Sequence, residues 1–141
     1  MRLFALSLLL LAGACAGAPP SAAPPATPAP VASGALTDTD WTIAEAGGQA
    51  VPEPARATLR IAGGRAAGRA VCNRFMGPVV LEGASLRFDA LATTRMACPP
   101  ALIEAERRIL RAFAAARSWR AEDDGAVLLD ERGGAVMRLR R

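Results

Sequence analysis

Apolar and polar residues alternate along most of the chain after residue 36. The clearest run is residues 85–91, where Leu86, Phe88 and Ala90 share one face and polar side chains occupy the other. A period of two predicts strands with one buried face. Further alternating pairs are Trp41 with Ile43, Leu59 with Ile61, and Met137 with Leu139. Turns are predicted at Gly47-Gly48, Gly63-Gly64, Glu82-Gly83, Asp124-Gly125 and Gly133-Gly134.

One segment has a helical period instead. Residues 101–117 contain no Gly or Pro and follow Pro99-Pro100, which suits the first turn of a helix. Glu104 is placed to pair with Arg108 along it. The positions at helical spacing are Leu102, Ile103, Glu106, Ile109, Leu110 and Phe113, and only Glu106 is not apolar. We therefore predict one amphipathic helix at about 100–117.

Five predicted strands precede this helix and three follow it, the last three as a meander from Trp119 to the C-terminus. Strands with a single packed helix indicate an α+β domain. We expect a curved antiparallel sheet or open barrel of about seven or eight strands.

The N-terminus has the pattern of an export signal. A positive start at Arg2 leads into the apolar run Leu3–Leu11, which is too short to span a bilayer, and small residues then lead to Cys15. Residues 1–14 are predicted to be a signal peptide, with a lipid attached to Cys15 and the chain anchored in the outer membrane, facing the periplasm. Ordinary cleavage, leaving a soluble periplasmic protein, is the alternative.

Residues 15–35 are predicted to form the lipidated N-terminus and a tether. From residue 16 the segment is uncharged and consists almost entirely of Ala, Pro, Gly, Ser and Thr. Such a segment favours extended polyproline II, and about 20 residues would reach up to ~60 Å. Residues 36–141 then form the single folded domain.

Composition removes several kinds of chemistry. The chain has no His, which excludes a Ser-His-Asp triad, a Cys-His dyad and a His-containing zinc site. The carboxylates at Glu122, Asp123 and Asp124, and those at Glu104 and Glu106, do not predict a buried convergent pair. We expect no enzymatic activity, no cofactor and no metal.

Seventeen basic residues, all Arg, give a net charge of +4. Export and the lack of interleaved aromatic residues disfavour nucleic acid as a partner. Four arginines cluster along the second predicted hairpin: Arg56, Arg60, Arg65 and Arg69. This cluster is either a strip that binds an anionic membrane or lipopolysaccharide, or an ordinary solvated face.

Cys72 and Cys98 form an even pair in an exported chain, which first indicates a disulfide. Closing this loop would stabilise the fold by roughly 3.5 kcal/mol in the chain-entropy model. Two alternatives remain open, a redox-active pair and a copper(I) site with Met76 and Met96 nearby.

The residues around these cysteines form two motifs, CNRF-x-G at 72–77 and T-R-M-x-C at 94–98. Together with their separation, the helix that follows, Trp41 and the C-terminal strands, they resemble the META domain family. The chain departs from the family pattern at Val71, where Gly is common, and at Val79, where an aromatic residue is common behind Pro78. The motif positions are Cys72, Asn73, Arg74, Phe75, Gly77, Thr94, Arg95, Met96 and Cys98.

The resemblance implies a small β-rich domain with one helix. It also implies an association with heat shock, antibiotic tolerance or, in eukaryotic parasites, virulence, in a family with no established enzymatic activity.

The motif residues are first interpreted as structural. Asn73 suits a turn, Phe75 the core, and Gly77 a close backbone approach or bulge. Arg74 and Arg95 are candidates for binding an anion such as phosphate. The alternative is that both pack over the helix or pair with carboxylates.

Three function classes follow. The first is a monomeric, non-enzymatic lipoprotein that binds an envelope protein or envelope component during stress and contacts the membrane through its anchor. The second is a carrier of a lipid or small hydrophobic ligand in an open barrel. The third, less favoured, is a thiol- or copper-handling protein.

Overall fold

The computed structural model describes residues 36–53 and 55–141, so the predicted signal peptide, Cys15 and the tether lie outside the described residues. Ten strands and one helix are present in this part of the chain. Their bounds are β1 Asp40–Ala46, β2 Gln49–Ala50, β3 Thr58–Ala62, β4 Arg65–Arg69, β5 Arg74–Glu82, β6 Ser85–Phe88, β7 Ala92–Thr93, α1 Pro100–Ala115, β8 Ser118–Glu122, β9 Gly125–Leu129 and β10 Ala135–Arg140.

Eight strands form a closed antiparallel ring in the order β10, β9, β8, β6, β5, β4, β3 and β1, and pairing of β1 with β10 closes it. The two-residue strands β2 and β7 pair with β1 and β5 at the margins. The predicted α+β class and curved sheet are confirmed, as is the C-terminal meander β8-β9-β10. Seven strands precede the helix rather than five, because two of them are too short to show a period.

Helix α1 covers the interior of this ring. It contacts β1 and β10 on one side and β6 on the other. Its buried residues are Ala105, Ile109, Ala112 and Phe113. The Phe113 ring packs against Phe75 and Phe88, with centroids 4.9 and 4.7 Å apart. The three rings therefore join the helix to the inner faces of β5 and β6.

The interior of the ring is filled by large side chains. Trp41 and Trp119 are buried, and each indole N–H donates to a backbone carbonyl, of Leu36 at 3.0 Å and of Gly83 at 2.9 Å. Aromatic N–H groups that find such partners can be buried without an unsatisfied donor. Other fully buried side chains include Ile43, Leu59, Ile61, Leu86, Ile109, Leu128 and Met137.

Three local expectations differ from the structure. Ala90 is exposed because β6 ends at Phe88, after which the Asp89 N–H donates to the Pro78 carbonyl. Ile103 lies at the margin of the buried helix face and is exposed. Glu104 contacts Arg111 at 3.0 Å and Arg107 at 3.6 Å instead of pairing with Arg108.

Candidate functional site

The two sequence motifs meet beside the N-terminal half of α1. The first motif lies in the bend between β4 and the start of β5, and the second lies between β7 and α1. We call the meeting point the motif junction and define it by Cys72, Asn73, Thr94, Met96 and Glu106, together with Cys98.

Asn73 is the centre of the motif junction. It is 7% exposed and is the one buried polar residue among those that the structure describes. Its side-chain Nδ2 donates to Glu106 Oε1 at 2.7 Å. Its Oδ1 accepts from the Met96 N–H at 2.7 Å and from the Thr94 hydroxyl at 3.0 Å. One amide thus connects the helix to the second motif, and its buried oxygen is fully satisfied.

Glu106 holds the backbone of the first motif. Its Oε2 accepts from the N–H groups of Asn73 at 2.8 Å and Cys72 at 3.1 Å. With the Asn73 side chain, the carboxylate receives three hydrogen bonds, and bonds to a charged acceptor are stronger than neutral ones. Glu106 therefore satisfies two N–H groups at a bend where no neighbouring strand supplies carbonyls.

The same Glu106 was the single polar residue on the predicted apolar face of the helix. The sequence alone does not predict this structural role, because it shows only a carboxylate without a catalytic partner. A lone acidic residue in an apolar helical stripe is a usable signal, because burying a carboxylate is costly unless donors surround it. The sequence did not show which donors these would be.

The two motifs also pair along their backbones. The Arg74 N–H donates to the Thr94 hydroxyl at 3.1 Å, and the Thr94 N–H donates to the Arg74 carbonyl at 3.0 Å. Farther along, β5 pairs with β7 through Phe75 opposite Thr93. The Thr94 hydroxyl thus accepts a hydrogen bond from the Arg74 N–H and donates one to the Asn73 side chain.

Cys72 and Cys98 link the two motifs covalently within the junction. The structure joins them by a disulfide, with Cα atoms 6.3 Å apart. The bond connects the β4–β5 bend to the residue before the two prolines that begin α1. In residues 36–53 and 55–141, no group of three or more His, Cys, Asp or Glu side chains is placed to hold a metal.

Phe75 and Gly77 serve the packing of β5. Phe75 is buried against α1, as its place in the motif predicted. A Cβ on Gly77 would lie 2.8 Å from the Ala90 carbonyl oxygen and 2.9 Å from Leu91 Cδ2. The segment after β6 therefore passes very close to Gly77, which is the close backbone approach that the sequence predicted as one of two roles for this glycine. Pro78 lies where the neighbour of β5 changes from β7 to β6, so its missing N–H disrupts no ladder.

Among the motif positions, the side chains of Arg74, Arg95 and Met96 are exposed and take no part in the hydrogen bonds of the junction. Neither arginine forms an ion pair within the described part of the chain, so neither bridges to a carboxylate there. Binding of an anion by these two residues stays a prediction.

Two carboxylates away from the junction, Glu104 and Glu122, form ion pairs at the surface. Hydrogen bonding from Arg111 lowers the pKa of Glu104 below its ordinary value. Hydrogen bonding from Arg120, with a further contribution from Arg138, lowers the pKa of Glu122. Glu122 contacts these arginines at 3.1 and 3.0 Å. A lowered pKa keeps both groups ionised, which suits neither of them for a general acid.

A surface hollow of about 510 Å³ lies between α1 and the link after β6. Leu91 and Leu110 line it, and so do Phe88 and Phe113, but both rings are almost completely buried in the core. The hollow is therefore a groove on the outside of a filled domain. Among the described residues, no helix has the length and apolar character needed to cross a membrane.

Comparison with known proteins places this architecture in a family. The chain is similar to an NMR structure of a protein from Burkholderia xenovorans, with 25% identity over 86% of this chain and 95% of the other and a TM-score of 0.63. A second NMR structure shares the fold, with 20% identity over 78% of this chain and 94% of the other and a TM-score of 0.61. No curated protein matches the chain significantly. The META domain model matches residues 34–141, which include both motifs and the whole ring, and the chain therefore belongs to the META domain family.

Proposed function

We propose that this protein is an exported lipoprotein whose META domain is a non-enzymatic binding module of the bacterial envelope, acting in stress or antibiotic tolerance. The observation that carries the proposal is the motif junction. Its polar side chains, Asn73, Thr94 and Glu106, are bonded to one another and to backbone groups.

A catalytic group must reach a substrate atom with a free donor or acceptor. Asn73 Oδ1 already accepts two hydrogen bonds, and the Glu106 carboxylate accepts three. Most of the polar side chains around the junction are thus used to hold two loops and a helix together. This use supports a scaffold that presents an outer surface to a partner.

The envelope location rests on the predicted signal peptide and on lipid attachment at Cys15. A tether of about 20 residues would let the domain move up to ~60 Å from its anchor. Such a tether keeps a binding surface at high local concentration near the membrane. In this proposal Ala16, following the cysteine, directs the protein to the outer membrane.

The carrier function has less support. A carrier needs an interior cavity, whereas Trp41, Trp119 and the other core side chains fill this ring. A thiol- or copper-handling role needs free thiolates, whereas Cys72 and Cys98 are bonded. Mass spectrometry of the mature, non-reduced protein tests that role directly, and two free thiols there would restore it.

Purification of the protein from its native envelope, followed by lipid extraction, tests the proposal. We expect recovery in the outer-membrane fraction, a diacylglycerol thioether on Cys15, and no lipid retained in the folded domain. The matched variant Cys15→Ala is expected in the soluble fraction. Unchanged membrane association of Cys15→Ala would contradict lipid attachment at Cys15. A stoichiometric amount of lipid extracted from the folded domain of this variant would favour the carrier function.

A further inference from the structure

Four exposed arginines lie on neighbouring segments at one end of the sheet, two of them on β4 and β5 and two in the adjoining loops. Arg56 and Arg69 line one surface hollow of about 390 Å³. Arg69 lies opposite Arg74 on the neighbouring strand. Thr94, which is bonded to the backbone of Arg74, immediately precedes Arg95. We call Arg56, Arg69, Arg74 and Arg95 the arginine band.

The charges of the arginine band are not neutralised by the domain. All four side chains are exposed, and none forms an ion pair with any residue that the structure describes. Two other arginines of the sheet differ in this respect, since Arg60 pairs with Asp40 at 3.0 Å and Arg87 pairs with Asp89. Of the arginines predicted to cluster along the second hairpin, Arg60 is therefore paired and Arg69 is not. Arg74 and Arg95 add two unpaired charges from the motifs.

An exposed apolar strip lies directly beside the band. Met76 follows Arg74 on the outer face of β5 and is 54% exposed, and Met96 follows Arg95 and is 65% exposed. On either side of Met76 the sheet presents the small residues Ala67 and Ala92. The surface thus combines unpaired cations with two flexible, exposed apolar side chains.

We propose that the arginine band docks on the anionic phospholipid headgroups of a membrane, with Met76 and Met96 entering the boundary between headgroups and acyl chains. Guanidinium groups bind phosphate oxygens in bidentate geometry. Each arginine held near an anionic membrane strengthens binding about fivefold, so four of them produce useful affinity together.

The side chains of this surface favour a lipid surface over an acidic protein. Protein interfaces usually depend on Trp, Tyr and Arg anchored in pockets. This chain has no Tyr, and its two Trp and the Phe residues of the described region are buried in the core. Exposed cations beside methionine side chains suit phospholipid headgroups instead. Headgroups are mobile, so they can bind to such a surface without a pocket of complementary shape.

This proposal rests on the proposed function only in assuming that the domain lies near a membrane. It is tested separately, by sedimentation of the mature protein, residues 15–141 with Cys15→Ala, with vesicles of phosphatidylcholine alone or mixed equally with phosphatidylglycerol. We expect binding to the anionic vesicles only, weakening as NaCl is raised. The double variant Arg74→Gln/Arg95→Gln is expected to bind about 25-fold more weakly.

The matched control is Arg132→Gln/Arg140→Gln, which removes the same charge from exposed positions away from the band. It is expected to retain binding close to that of the parent. Equal losses in both double variants would show that net charge alone matters and would overturn the proposal. So would the absence of binding to anionic vesicles, or displacement by inorganic phosphate beyond its effect on ionic strength, which would indicate a discrete anion site.

These outcomes are separable from those of the proposed function. Failure of vesicle binding leaves the Cys15 anchor and its fractionation test untouched. Conversely, a protein that is soluble in the cell could still bind anionic vesicles through the band. Thermal unfolding of each variant shows that its fold is retained.

Discussion

Glu106 and Asn73, 33 positions apart in the sequence, are bonded twice, once from the backbone N–H of Asn73 at 2.8 Å and once from its side-chain amide at 2.7 Å. The pair joins the only helix of the described region to the bend that begins β5. Because Asn73 also holds Thr94 and Met96, both family motifs depend on this contact.

Replacement Glu106→Gln should destabilise the domain by about 1.5–3 kcal/mol. The Glu106 carboxylate accepts three N–H groups, whereas the NH₂ group of a glutamine would point a donor at one of these donors. Urea unfolding followed by fluorescence measures the change. Glu104→Gln on the same helix removes an exposed carboxylate and should stay close to wild type. Equal effects of the two substitutions would contradict the role given to Glu106.

Removing the disulfide with Cys72→Ser/Cys98→Ser should lower the free energy of unfolding by about 3.5 kcal/mol, because the unfolded chain regains the entropy of the open loop. A reductant should produce a similar loss in the wild type and none in the double variant. If the two proteins unfold at the same urea concentration without reductant, the bond contributes nothing to the fold.

Gly77→Ala should destabilise the domain by about 1–3 kcal/mol, since the new Cβ would overlap the backbone at Ala90 and the side chain of Leu91. The adjacent Met76→Ala changes an exposed side chain and should have little effect. Comparison of the two melting temperatures tests the close approach. A stable Gly77→Ala protein would show that the link after β6 can move away freely.

Much of this architecture could be predicted from sequence because it depends on local periodicity. The meander after Trp119 was predicted correctly, since a turn that contains Gly lies at each end of the middle strand and Met137 and Leu139 alternate with arginines. The closure of the ring by β1 and β10 was not, because pairing between the two ends of a domain leaves no local pattern. The short strand β7 was missed for a similar reason, since two residues cannot show a period.

The candidate site could also be predicted only where it depends on local sequence. The two motifs are visible in the sequence, and the chemistry of Phe75 and Gly77 alone indicates a role in packing. The hydrogen bonds of Asn73 were beyond reach because they join three segments that are distant in sequence. The contrast between unpaired Arg69 and paired Arg60 depends on which strand lies alongside, and this follows from the sheet register.

The ion pairs of Glu122 should make a small, pH-dependent contribution to stability. Its pKa is lowered in the folded state, so the contribution is complete above the ordinary value of 4.5 and is lost as the pH falls through the lowered value. Glu122→Gln should therefore be less stable than wild type at pH 7 and equal to it in strong acid. The difference at pH 7 should shrink in 1 M NaCl, and a difference that grows on acidification would contradict the sign.

The most direct test of the central claim, that the motifs build an internal scaffold, is a double-mutant cycle between Asn73→Ala and Glu106→Gln. Unfolding free energies of the two single variants, the double variant and the wild type provide the coupling between these side chains. Direct contact through the 2.7 Å hydrogen bond predicts a coupling of at least about 1 kcal/mol. Additive effects, within about 0.3–0.5 kcal/mol, would contradict the claim that the two residues act as one unit.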